Sequence, residues 1–179
     1  MEKQKWLMLS YNLPTEPSRY RVATWRGLKK LGAVNLQQAI WVLPHNEENL
    51  IALEKIAEDI ETKSGEAFLL EAQCTNEKAK EKIIANFNAI REEEYTEFIT
   101  ECEKYLKELE KEISIEKFTF AELEEEEEEL LKLISWYKKI AARDLFQAAN
   151  GVSAREICEQ IQVAFEKYSE LVYSHEDLR

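Results

Sequence analysis

With 179 residues, 45% hydrophobic and 34% charged, the chain suits one domain, or a small domain with a helical extension, and is not a disordered protein. Four glycines and three prolines are too few for a sandwich or barrel with many tight turns. A net charge of −12 excludes a protein that coats phosphate indiscriminately.

The first element is Lys5–Tyr11 (KWLMLSY), an apolar run without helical spacing that reads as a buried strand. Pro17 suits the start of a following helix. From Ser18 to Leu31, Val22, Trp25, Leu28 and Leu31 recur every three residues, which predicts an apolar stripe on a helix that stops at Gly32. Ala39–Leu43 is a strong strand signal. Val34 and Leu36 alternate with polar residues before it, leaving open two strands or one bulged strand. Asn46 is a candidate N-cap for the next helix, whose stripe is Leu50, Leu53, Ile56, Ala57 and Ile60 and which Ser64-Gly65 closes. Glu66–Cys74 is the last strand.

The rest of the chain reads as helix. Residues 76–113 carry Phe87, Ile90, Phe98, Cys102, Tyr105 and Leu109 at three–four spacing, with a soft spot around Arg91–Tyr95. Thr119 and Glu122 form a capping box before the stripe Leu123, Leu130, Ile134, Tyr137 and Ala141. Ser153 and Glu156 form another before Ile157, Ile161, Ala164, Tyr168 and Leu171. The acidic tract Glu124–Glu129, with Glu122, reads as a solvated helix face. Glu126 and Glu127 fall where the apolar stripe should pass, so the bundle is expected to fray or open there.

The expected fold is therefore α+β and mostly helical. Residues 1–75 form a ferredoxin-like βαββαβ unit. Residues 76–179 form an acidic antiparallel bundle of about three long helices.

Charge is unevenly spread. Residues 1–45 hold seven basic and two acidic side chains, a net +5, and leave −17 on the remainder. Arg19, Arg26 and Lys30 share one flank of the first helix, with Arg21 and Lys29 near its polar face. These five are the candidate contacts for DNA phosphate or an oxyanion, since Arg forks suit both. Trp6, Trp25 and Trp41 lie on apolar stripes and are expected in the core.

Other chemistry is not signalled. Cys74, Cys102 and Cys158 are odd in number and far apart, which fits a reduced, cytoplasmic protein. The N-terminus lacks the form of a signal peptide, and no run approaches the roughly 18 apolar residues of a membrane span. His45 and His175 have no partner at metal-ligand spacing, so no metal is expected. No cofactor loop or catalytic triad is legible, so neither a cofactor nor an enzyme is expected.

The segments W-L-x-L-S-Y-x-L-P, E-P-S-R-x-R-V-A-x-W-R-x-L-K-K-L-G-A and L-Q-x-x-I-W-V-L-P, between Trp6 and Pro44, resemble the N-terminal domain of ChrB-type chromate-resistance proteins. A shorter match is W-Y-K-K-I-A-A-R-D-L-F at Trp136–Phe146. The resemblance implies a cytoplasmic bacterial regulator of the chromate response. The βαββαβ pattern is also similar to the middle domain of phenylacetate-type repressors and to small CRISPR adaptation endonucleases. Those endonucleases place an Asp at the end of the first strand, where this chain has Ser10-Tyr11-Asn12, which argues against nuclease activity.

Two functions are weighed. One is a regulatory protein that binds DNA, chromate or another oxyanion through the basic helix. The other is a protein–protein interaction module without nucleic-acid affinity, working with a separate ChrB C-terminal-type domain. A homodimer through a free sheet edge fits either.

Overall fold

The computed structural model describes residues 4–176. The chain divides into two compact units, residues 1–87 and 88–179. The first contains β1 (Lys5–Asn12), α1 (Ser18–Lys30), β2 (Val34–Gln37), β3 (Ile40–Pro44), α2 (Glu47–Thr62) and β4 (Glu66–Gln73). The sheet order is β2-β3-β1-β4 with antiparallel neighbours throughout, as a ferredoxin-like βαββαβ unit requires. The central strand β1 carries apolar side chains on both faces. Leu7 and Leu9 are wholly buried, and on the opposite face Trp6 stacks on Phe87 with ring centroids 6.0 Å apart. The alternative of one bulged strand is resolved as two strands, reversed at Gln38 (φ 43°).

Local signals place the element ends. Gly32 stops α1 in the left-handed region (φ 79°), and the amide of Ala33 donates to Leu28 O. Asn46 caps α2 by accepting from the Asn49 amide at 2.7 Å. Ser64 (φ 60°) and Gly65 close α2, and the Gly65 amide donates to Ile60 O. A Cβ at Gly65 would stand 2.5 Å from the Asn12 carbonyl oxygen, so only glycine lets β1 and β4 meet there.

The expected apolar stripe of α1 is corrected. Thr24 and Leu28 are buried, whereas Val22 and Trp25 are 42% and 48% exposed. Steps of three residues turn back by about 60° each on a 3.6-residue helix, so Val22, Trp25, Leu28 and Leu31 spread over half its circumference. Only the end of that series that falls in line with Thr24 reaches the core. Trp6 and Trp41 are buried as expected.

The second helical series is α3 (Glu77–Ser114), α4 (Phe120–Arg143) and α5 (Gly151–Glu176), with the boundary between units inside α3. The core of residues 88–179 includes Phe98, Cys102, Tyr105, Leu109, Leu133, Ile140, Ile161 and Tyr168. Thr119 caps α4, accepting from the Glu122 amide at 3.3 Å. Ser153, by contrast, lies inside α5, which begins at Gly151. Its spacing to Glu156 therefore marks no cap. Val172, not Leu171, completes the buried face of α5.

The acidic tract does not open the bundle. α4 is continuous through it, Glu126 is 7% exposed, and Glu127 faces solvent. Tyr105 donates its hydroxyl to the Glu126 carbonyl at 3.0 Å and anchors α4 to α3 at that turn. The soft spot at Arg91–Tyr95 is likewise regular helix, and both end residues are buried.

A candidate basic surface on helix α1

The 3.6-residue period that buries Thr24 and Leu28 turns the opposite side of α1 outward. Val22, Trp25, Arg26 and Lys29 follow one another at i, i+3, i+4 and i+7 and form an outer stripe. The Lys29 Nζ sits over the Trp25 ring, 5.7 Å from its centroid. Such a cation–π contact fixes an otherwise loose side chain and leaves its charge accessible.

The other cations flank this stripe. Arg19 and Lys63 both stand 5.2 Å from the Tyr20 ring centroid. Arg21 donates to the Thr15 carbonyl at 3.1 Å, which ties the turn before α1 to the helix. Arg26 and Lys30 are exposed. Among the described residues, none of Arg19, Arg21, Arg26, Lys29 and Lys30 forms an ion pair. Their positive charge is uncompensated at close range.

α1 also places Lys29 and Lys30 in its last turn, where they favourably oppose the negative end of the helix dipole. That orientation leaves the cationic groups pointing to solvent. The arrangement can do two things chemically. It can neutralise phosphates along one helix face, and it offers Trp25 as a flat surface for a base or another planar group. Sequence reasoning assigned Trp25 to the core. The available signal was its position between Arg21, Arg26 and Lys29.

Polar clusters in residues 88–179 are closed in comparison. Glu94 binds Arg91 Nε at 3.1 Å and Arg143 Nη2 at 2.9 Å. Burial pushes the Arg91 guanidinium below its usual range, and Glu94 opposes that shift. Asp144 accepts from the Tyr95 hydroxyl at 3.1 Å and from the Ala148 amide at 3.0 Å. Glu92 accepts from the Ala149 amide at 2.6 Å. These bonds fix the α4–α5 connection against α3.

At the far end of the bundle, Lys117 bridges Glu112 and Glu122 at 3.4 and 2.7 Å. Burial, with Glu108, Glu112, Glu122 and Glu129 adding to it, pushes the Glu126 carboxyl up to about 7. Burial also raises the Cys102 thiol to about 12, so it is a core residue and not a nucleophile. Cys158 is raised for the same reason.

Among the described residues, no group of three or more His, Cys, Asp or Glu side chains is arranged to hold a metal ion. His45 instead faces Glu71, with Nε2 and Oε1 3.0 Å apart. Among the described residues, no helix is long and apolar enough to cross a membrane.

Comparison with known proteins adds a family to this geometry. The family described as "Protein ChrB, N-terminal" matches residues 21–178. A curated relative, Protein ChrB of Cupriavidus metallidurans strain CH34, is 32% identical over 96 residues. The match covers 54% of this chain and 29% of that protein, so the chain spans less than a third of its relative.

Proposed function

Because the chain belongs to the ChrB N-terminal family, we propose that it is a non-enzymatic regulatory protein of the chromate-resistance response that contacts DNA through α1. The observation that carries this reading is the exposed Trp25, flanked by Arg21, Arg26 and Lys29 on a helix whose five cations have no acidic partner among the described residues. A helix with that surface positions itself on a phosphate backbone by charge and can stack its indole on a planar group.

Within the same reading, chromate is a second, smaller anion for the same guanidinium forks. It would then compete directly with phosphate for Arg19, Arg21 and Arg26. Direct competition gives a simple regulatory logic in which the oxyanion displaces DNA without a change of fold.

The second reading is a protein-docking module without nucleic-acid affinity. It is favoured by residues 88–179, which carry twenty-four acidic and twelve basic side chains and would repel a polyanion. In that case the partner is a separate ChrB C-terminal-type domain.

Fluorescence anisotropy of a labelled promoter fragment from the protein's own operon separates the two. The protein is titrated at low and moderate salt, with and without chromate, beside a scrambled fragment. Sequence-dependent binding that chromate weakens is the expected result. Arg26→Ala should weaken binding to both fragments alike and lower the logarithmic salt slope by about 1. Absence of binding at low salt overturns the DNA reading for this chain.

A further inference from the structure

The two edges of the sheet are unlike. β2, at one edge, is four residues long and its register shifts between Asn35 and Gln37. β4, at the other, is eight residues long and pairs with β1 without interruption from Gln73 opposite Lys5 to Glu66 opposite Asn12. Exposed edges are usually blunted by shortness, bulges, proline or lysine. β2 has two of these protections, whereas β4 (EAFLLEAQ) is neither short nor bulged and carries no proline or lysine, its only charges being Glu66 and Glu71.

The two faces of β4 also differ. Leu69 pairs with the wholly buried Leu9 and so points to the side on which α2 packs. Phe68 and Leu70 pair with Ser10 and Met8 on the opposite side, and they are 55% and 57% exposed. On the α2 side a groove of 630 Å³ runs between α2 and β4. Apolar Leu50 and Ala57 line it together with Glu54, Glu58 and Glu61, which recur at i, i+4 and i+7 along one side of α2. None of these three glutamates forms an ion pair among the described residues, and Lys63 at the end of α2 is engaged by Asp59.

We propose that β4 accepts an extended peptide from a partner protein as a fifth strand of the sheet. Successive side chains of such a strand point to opposite faces. Lysine or arginine at alternate positions would reach the Glu54–Glu58–Glu61 row, and the apolar residues between them would lie against Phe68 and Leu70. The strand's main chain satisfies the free N–H and C=O groups of β4, and the alternation gives specificity.

Charge decides against a second copy of this chain as the occupant. A two-fold axis normal to the sheet would set the glutamate row of one α2 toward that of the other. It would also supply another EAFLLEAQ strand where the groove calls for cations. Like charges so placed are unfavourable. This surface is independent of the α1 surface and of the DNA reading.

The test uses the full chain and a ten-residue peptide of alternating lysine and valine, followed by amide chemical shifts and anisotropy. Shifts should concentrate on residues 66–73. The combined Glu54→Gln, Glu58→Gln and Glu61→Gln variant should bind about tenfold more weakly, as should a peptide with the same residues in two blocks. Four results overturn the proposal: no saturable binding, equal binding of the block peptide, unchanged affinity of the triple variant, or shifts centred on the acidic tract of α4. Concentration-dependent shifts of the β4 amides without peptide also overturn it, since a second copy then holds the edge.

Discussion

The two halves of the chain handle charge in opposite ways. Residues 1–87 hold twelve basic and twelve acidic side chains, but the basic ones gather on α1 and the acidic ones on α2 and β4, with few pairs between them. Residues 88–179 are strongly acidic, yet apart from Glu126 their buried charges are paired, as in Arg91–Glu94–Arg143, where Arg91 Nη1 and Arg143 Nε nonetheless lack hydrogen-bond partners, and Asp144 accepts from Tyr95. Charge turned inward and satisfied holds helices together. Charge turned outward and left unpaired adds little to stability and remains free for a ligand. On this contrast, the surfaces proposed for binding lie on the α/β unit, although the acidic helices dominate the composition.

Breaking the inward cluster should have the largest effect. Glu94→Ala leaves two guanidinium groups, one of them on the 4%-exposed Arg91, without their shared carboxylate. Removing one partner from such a pair strands charge away from water, so the variant should lose about 3 kcal/mol of stability. Urea denaturation monitored by helical circular dichroism measures this. A loss below 1 kcal/mol would show that the cluster is solvated, and that the contrast between the halves is weaker than the geometry indicates.

The next effect has the opposite sign and depends on pH. Glu126 is buried in a row of carboxylates, and its folded-state value, about 7, lies above that of an exposed glutamate. The folded state therefore binds this proton more tightly than the unfolded one. Stability from this group is complete at acid pH, declines as pH rises from about 4.5, and levels off above about 7. Glu126→Gln removes the penalty and should raise Tm by about 3 °C at pH 8, with almost no change at pH 5. Thermal melts of both proteins at the two pH values decide it, and an equal shift at both would assign the gain to packing instead of charge.

These residues also show what the sequence could and could not convey. Strand and helix order, the caps at Asn46 and Thr119, and the stop at Gly32 are local signals, and each forms as its residues dictate. Orientation within a helix is not local. A three-residue recurrence in α1 fits either of two faces, and only packing against the sheet buries Thr24 and leaves Trp25 outside. Glu126 reads as a break because polar residues on an apolar stripe are costly, yet α3 supplies Tyr105 to hold that turn. The short block at Trp136–Phe146 carries no visible chemistry in the sequence. In the fold, Trp136 packs edge-on against Phe98, while Arg143 and Asp144 bond to Glu94 and Tyr95. The place of all five basic residues on α1 was legible, because a helical flank can be counted from spacing. Their aromatic centre, Trp25, was not.

The smallest effect on stability belongs to the outward charges, and there a null result is the informative one. Arg21, Arg26 and Lys29 make one hydrogen bond and one cation–π contact among the three, and none has an ion-pair partner among the described residues. Replacing all three by alanine should change stability by less than about 0.5 kcal/mol, because exposed charges contribute little and alanine is a good helix former. The same triple variant should weaken promoter binding strongly and lower its logarithmic salt slope by about 3, since it removes three of the five proposed phosphate contacts. A variant that melts normally and no longer binds separates function from fold at α1. A variant that loses several kcal/mol would instead mean that these cations hold the helix in place, and the α/β unit would then use charge as the helical half does.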